Sequence, residues 1–105
     1  MVNIPLPAGS GGEAFREVVE EFWIPALESF GPQMIFFSAG FDAHAEDEMA
    51  GLALVEEDYA WVTKRIAGIA EKHAKGRMVS TLEGGYELHA LGRSAAAHIR
   101  TLAGL

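Results

Sequence analysis

The apolar positions of this chain alternate between short solid runs and longer helical stripes. The densest run is Met34-Ile35-Phe36-Phe37, which passes through Ser38-Ala39-Gly40 and ends at Phe41-Asp42. Bounded by Gly31-Pro32 and Gly40, it predicts a strand buried on both faces, the kind found in parallel sheets flanked by helices. Met78-Val79-Ser80-Thr81-Leu82 predicts another strand. Val2-Asn3-Ile4-Pro5-Leu6 predicts a short first strand, which Pro5 places at an edge or at a strand's end because it lacks a ladder donor.

Between these runs the period changes to 3.6. Ser10 and Glu13 have capping-box spacing and predict a helix starting near Gly11. Phe15, Val18, Val19, Phe22, Ala26, Leu27 and Phe30 form its apolar stripe, while Glu17, Glu20, Glu21 and Glu28 fall mostly on a solvated face. Pro25 cannot donate to the carbonyl of Glu21 and predicts a kink, and Gly31-Pro32 ends the helix. Acidic Glu56, Glu57 and Asp58 open a second helix with the stripe Tyr59, Val62, Ile66, Ile69 and Ala70. Lys72, His73 and Lys75 suit its C-terminal dipole, and Gly76 suits a left-handed cap. A third helix follows Tyr86, with Leu88, Leu91, Ala95, Ile99 and Leu102 inward and His98 packed at the boundary. The order β-α-β-loop-α-β-α predicts an α/β fold, a three-layer arrangement of parallel sheet with flanking helices.

Composition narrows the function classes. A length of 105 residues allows one small domain, and a formal net charge of −7 argues against direct nucleic-acid binding. The absence of cysteine excludes disulfides and thiolate metal sites and fits a cytoplasmic chain. No apolar run is long enough to cross a membrane, and the first residues do not read as a secretory leader. Gly9-Ser10-Gly11-Gly12 reads as a linker, since it lacks the Lys-Ser/Thr ending of a phosphate loop.

Candidate chemistry gathers where strands end. In parallel α/β sheets, ligands sit outside the carboxyl ends of the strands. Asp42 lies at such an end, although a turn-capping role suits it equally. The connection from Asp42 to about Val55 is long for a compact domain and carries Asp42, His44, Glu46, Asp47, Glu48 and Met49. Asp42-Ala43-His44 could place two metal donors on one side of an extended segment, but two residues do not make a metal site. At the end of the last strand, Gly84 and Gly85 permit positive φ and close backbone approach. Tyr86 is then either presented by that turn or an ordinary surface tyrosine.

Taken together and in order, Ser38-Ala39-Gly40-Phe41-Asp42-Ala43-His44 and Leu82-Glu83-Gly84-Gly85-Tyr86 resemble the C-terminal part of the histone deacetylase superfamily. The similarity is to its class II-like and bacterial branch, including acetylpolyamine amidohydrolase relatives. Asn3-Ile4-Pro5-Leu6-Pro7-Ala8-Gly9, Glu56-Glu57-Asp58-Tyr59 and Arg93-Ser94-Ala95-Ala96-Ala97-His98 fit the same region, so the resemblance covers essentially the whole chain. It implies an arginase/deacetylase-like fold of which residues 1–105 are a single partial domain, the C-terminal fragment of a catalytic domain. It implies a zinc-dependent amidohydrolase acting on acetyl-lysine peptides or acetylated small molecules such as polyamines. Asp42 maps onto one zinc ligand, Tyr86 onto the hydrogen-bond donor to the substrate carbonyl, Gly84 and Gly85 onto tunnel glycines, and Met49 onto an apolar tunnel residue. His44 maps onto a non-ligand. The family's other two ligands and its proton-handling histidine pair lie upstream of the matching region, so the isolated chain is expected to be inactive and to bind no Zn2+ firmly. The rest of the catalytic domain is the implied partner. Glu48 stands where proline is usual, and Val55 where a Ser or Thr cap is expected, a loss of about 1 kcal/mol if nothing substitutes. The alternative expectation is a non-catalytic flavodoxin-like binding or interaction module in which Asp42 and Tyr86 are merely structural.

Overall fold

A computed structural model describes residues 1–105. The first helical region is continuous but not uniform. It runs as α1 (Gly12–Val18), a π-helical turn (Val19–Trp23) and α2 (Ile24–Phe30). The wide turn, marked by the Ile24 N–H donating to the Val19 carbonyl, leads directly into Pro25 in the first turn of α2. The helix thus accommodates the missing proline donor by widening rather than by breaking. Gly31, at φ +63, caps α2 with its N–H on the Leu27 carbonyl at 3.0 Å.

β1 (Ile35–Ala39) and β2 (Met78–Leu82) pair in parallel, in register from Ile35 opposite Met78 to Ala39 opposite Leu82. Between them runs α3 (Glu56–His73), and α4 (Leu88–Leu102) closes the chain. The parallel α/β class and the pairing of these two strands agree with expectation, but β1 is not buried on both faces as expected, since Phe36 is exposed. Residues 2–6 do not form the expected edge strand, and the sheet has two strands. Pro5 and Pro7 each remove a donor there, and no strand of this chain lies alongside to pair with the rest.

The helices gather on one face of the sheet. Ile35 and Phe37 of β1 and Met78 of β2 pack with Val19, Ile24, Ile66, Ile69, Ala70 and Ala74. On the opposite face Phe36 is 71% and Val79 43% exposed, so this chain contributes no second helix layer there. Phe22 and Phe30 of the predicted first stripe are also exposed. In α4 the buried row is Ala90, Ser94 and His98, whereas the expected inward Leu88 and Ile99 are exposed. Small and hydrogen-bonded residues at this i, i+4, i+8 spacing bring α4 close to its neighbours, which a row of large apolar residues would not allow.

Local capping also differs from expectation. The Ser10 hydroxyl donates to the Pro7 carbonyl at 2.6 Å instead of capping α1, whose N-cap is Gly11. At the start of α3, Val55 has no acceptor of its own, but its N–H donates to Asp58 Oδ2 at 3.0 Å. That reach-back bond supplies half of a capping box and compensates in part for the missing Ser or Thr. Asp58 Oδ1 accepts from Arg16 Nε at 3.1 Å, tying α3 to α1. A Cβ on Gly12 would lie 2.2 Å from that same Oδ1, so the glycine is what lets the carboxylate approach.

Gly12→Ala should therefore destabilise the chain by about 1–3 kcal/mol, because the buried Asp58 cannot move without losing its partners. Gly68, inside α3 with nothing within 4 Å of a built Cβ, is the control. Gly68→Ala should stabilise by roughly 0.5–1 kcal/mol. Denaturant unfolding of the two variants measures both signs.

Candidate functional site

The in-register strands bring their C-terminal ends to the same level, and backbone bonds continue past them. Glu83 N–H donates to the Ala39 carbonyl at 2.9 Å, and Phe41 N–H to the Gly84 carbonyl at 2.8 Å. These bonds hold Gly40-Phe41-Asp42 beside Glu83-Gly84-Gly85. The Asp42 carboxylate packs directly over Gly84, where a Cβ would meet Oδ1 at 2.9 Å and Cγ at 3.0 Å. Gly85, at φ +143, brings its backbone so close to Leu91 that a Cβ would lie 2.7 Å from Cδ1. Asp42 is half-buried, and no cationic side chain pairs with it.

Tyr86 follows this turn and is exposed, with Met49 across an open cleft that Asp47 and Glu87 also line. Asp42 does not line that cleft; it joins the Tyr86 turn through Gly84. The residue that holds the cleft together is Asp47, which the sequence reading left among the loop acids. Buried at 5% exposure, its Oδ2 accepts from Tyr86 N–H at 2.7 Å and Glu87 N–H at 3.0 Å. Its Oδ1 accepts from Met49 N–H at 2.9 Å. These backbone donors hold its carboxyl below the usual carboxylate range. Nothing in Glu46-Asp47-Glu48 distinguishes the buried acid from its exposed neighbours; only folding separates them.

The long loop is itself well tied. Ala45 N–H donates to the Leu54 carbonyl and Leu54 N–H to that of Ala43, while Ala53 N–H reaches Ser10. His44 is buried: its Nδ1 accepts from Glu46 N–H at 3.0 Å, which leaves Nε2 as the donor to Glu56 Oε1 at 2.8 Å. Glu56 also accepts from Arg93 Nε at 2.9 Å, and Arg93 pairs with Glu46. The guanidinium of Arg93, followed by His44, pulls the Glu56 carboxyl down to about 2. The donor atoms of His44, Glu46 and Glu56 come within 4.8 Å of one another, yet Arg93 and the His44 proton already satisfy them. This trio is a loop anchor, and His44 is no partner to Asp42 in a metal pair.

Two buried rings complete the surroundings. His98 bridges Thr63 Oγ1 and Ser80 Oγ, both at 2.8 Å, and stacks edge-on to Phe37 and Phe41, in line with a packed role. Tyr59 packs edge-on to Phe41 with its buried hydroxyl unpartnered. Burial first, then the charges of Asp42, Asp47 and Asp58, raises its phenol well above the ordinary value. As a hard, unpaired oxygen donor, Asp42 fits one position of a zinc shell, and the donor cluster of His44, Glu46 and Glu56 does not include it.

The profile of the histone deacetylase domain matches residues 1–102. A probable deacetylase of Archaeoglobus fulgidus is 46% identical over 87 residues, 83% of this chain and 24% of its own length. A histone deacetylase-like amidohydrolase of Pseudomonas aeruginosa is 40% identical over 85 residues, 81% of this chain and 22% of its own. The solved structure of the histone deacetylase Clr3 superposes with a TM-score of 0.89 at 32% identity, over 99% of this chain and 17% of that one. The chain thus spans a quarter or less of the length of these relatives.

The anchor gives a pH prediction. Because the Glu56 carboxyl falls from an ordinary 4.5 to about 2 on folding, its pairing stabilises the fold above pH 4.5. That contribution is lost as pH drops through about 2. Burial also lowers the His98 pKa below its ordinary 6.5, so its contribution begins to fade as pH falls below that value. Unfolding free energy measured from pH 7 downward should decline throughout. Glu56→Gln should be less stable at pH 7 and show a shallower decline below 4.5; an unchanged acid limb would remove Glu56 from the account.

Proposed function

The chain belongs to the histone deacetylase family, and from that premise we propose that it forms the part of a zinc-dependent amidohydrolase carrying one zinc carboxylate, Asp42, and the transition-state donor, Tyr86. The substrate is an N-acetyl amide, on acetyl-lysine or on an acetylated polyamine. Family membership favours this enzyme over the flavodoxin-like module. The observation that carries the reading is the close join between the two strand tips, which sets the Asp42 carboxylate against Gly84, two residues before Tyr86.

Each residue then has a task. Asp42 would hold the metal through an anionic oxygen. When bound, zinc supplies Lewis-acid polarisation of the amide carbonyl. Negative charge develops on the carbonyl oxygen during attack, and the Tyr86 hydroxyl donates a hydrogen bond to it. Met49 supplies apolar surface across the cleft for the acyl or side-chain methylenes of the substrate. Gly84 keeps Asp42 in place because any side chain there would collide with the carboxylate. Gly85 permits the backbone reversal that presents Tyr86.

The resemblance places the other two zinc ligands and the histidine pair upstream of the matching residues. A single carboxylate does not make a zinc site, so the isolated chain should neither hold zinc firmly nor turn over acetyl-lysine peptide. In the complete enzyme, Tyr86→Phe should lower turnover about 10²–10³-fold, as for loss of one oxyanion donor, with zinc content unchanged. Zinc content and deacetylase activity, measured on the chain, the complete enzyme and the variant, test all of this. Normal turnover by the variant would remove Tyr86 from its role, and turnover by the chain alone would refute the division of the site.

A further inference from the structure

Asp47 has no role in the chemistry assigned above, yet it is more deeply buried than Asp42 and makes more bonds than any other carboxylate near the cleft. An ionised carboxylate offers about four acceptor positions. Here three are filled by backbone donors from two segments far apart in sequence: Met49 in the long loop, and Tyr86 with Glu87 after β2. The Tyr86 turn needs such a tether. On its N-terminal side lies Gly85 at φ +143, a position with little intrinsic preference for one conformation. On its C-terminal side lies Glu87, the N-cap of α4, whose carboxylate accepts from Ala90 N–H at 2.7 Å. Tyr86 therefore sits between a permissive joint and a fixed helix start, and its own N–H is held by Asp47. The other oxygen of the same carboxylate holds Met49, across the cleft.

We propose that Asp47 is a positioning residue: its buried carboxylate sets the spacing between the Tyr86 turn and the Met49 loop, and so fixes where the Tyr86 hydroxyl meets the substrate carbonyl. This inference rests on the catalytic reading of Tyr86. A hydrogen-bond donor acts on developing charge only if it is already aimed there, and a displacement near 1 Å costs on the order of 10²-fold in rate.

The test is a double-mutant cycle in the complete zinc-loaded enzyme, with kcat, KM and zinc content measured for wild type, Asp47→Ala, Tyr86→Phe and the double variant. Asp47→Ala should lower kcat about 10–100-fold with zinc content retained and KM changed far less. In the Tyr86→Phe background the same change should cost less than about threefold, because the group it positions is gone. An equal cost in both backgrounds would mean that Asp47 acts on folding or on other groups, and would overturn the proposal. Full turnover by Tyr86→Phe would overturn the catalytic reading and this inference together, a result distinct from the first. If Asp47→Ala does not fold, Asp47→Asn decides by the same criterion. It keeps one acceptor oxygen for the Tyr86 turn while opposing an amide N–H to that of Met49, so its loss should be smaller and should likewise vanish in the Tyr86→Phe background.

Discussion

Parallel pairing of two short strands governs the layout of this molecule. Ile35 to Ala39 lie in register with Met78 to Leu82, so both strands end at one level. The hydrogen bonds then carry on for another step, through Glu83 to Ala39 and Phe41 to Gly84. The consequence is chemical as well as geometric. A carboxylate that follows β1 and a phenol that follows β2 emerge on the same rim of the sheet, held by backbone rather than by their own side chains. A slip of one residue would turn every side chain of a strand to the other face and separate the two tips. The buried Ile35, Phe37 and Met78 side of the sheet resists such a slip.

Polar groups, not only apolar packing, fix the pieces around that rim. His98 joins α3 and β2 to α4 through two hydroxyls. Arg93 and His44 converge on Glu56 and fasten the long loop to α3 and α4. Asp58 fastens α1 to the start of α3, and Asp47 fastens the loop to the Tyr86 turn. Each buried acid is matched by donors, as burial of a charge requires. The net charge of −7 therefore overstates how much negative charge is free to act at the surface.

Much of this was legible in the sequence because it follows from short-range rules. The two strands, the stripe Tyr59, Ile66, Ile69 and Ala70, the Gly31 and Gly76 caps and the packed role of His98 all came from period and turn chemistry. What escaped depends on partners distant along the chain. Residues 2–6 have a strand-like pattern but no strand beside them. The buried row of α4 differs from the apolar stripe because His98 is held by two hydroxyls and the small Ser94 allows close approach, neither of which hydrophobicity signals. Ser10 prefers the Pro7 carbonyl to a cap, while Asp58 makes up in part for the cap missing at Val55. Asp47 was hidden because burial of one acid among three is decided by segments about forty positions away. Asp42, Gly84, Gly85 and Tyr86 stood out by their place at strand ends, while the roles proposed for them and for Met49 come from likeness to a family; the structure adds where each lies.

The bare side of the sheet carries a practical corollary. Phe36 and Val79 lie open to solvent, and no strand borders the outer edge of either β1 or β2. A ribbon with greasy residues on one surface and spare backbone donors and acceptors along both margins is a template for its own copies. Handled by itself, such a polypeptide is governed by concentration: dilution keeps it dispersed, whereas crowding favours edge-to-edge stacking. Solubility tags or charged replacements at Phe36 and Val79 would act on that tendency without touching the rim where Asp42 and Tyr86 stand.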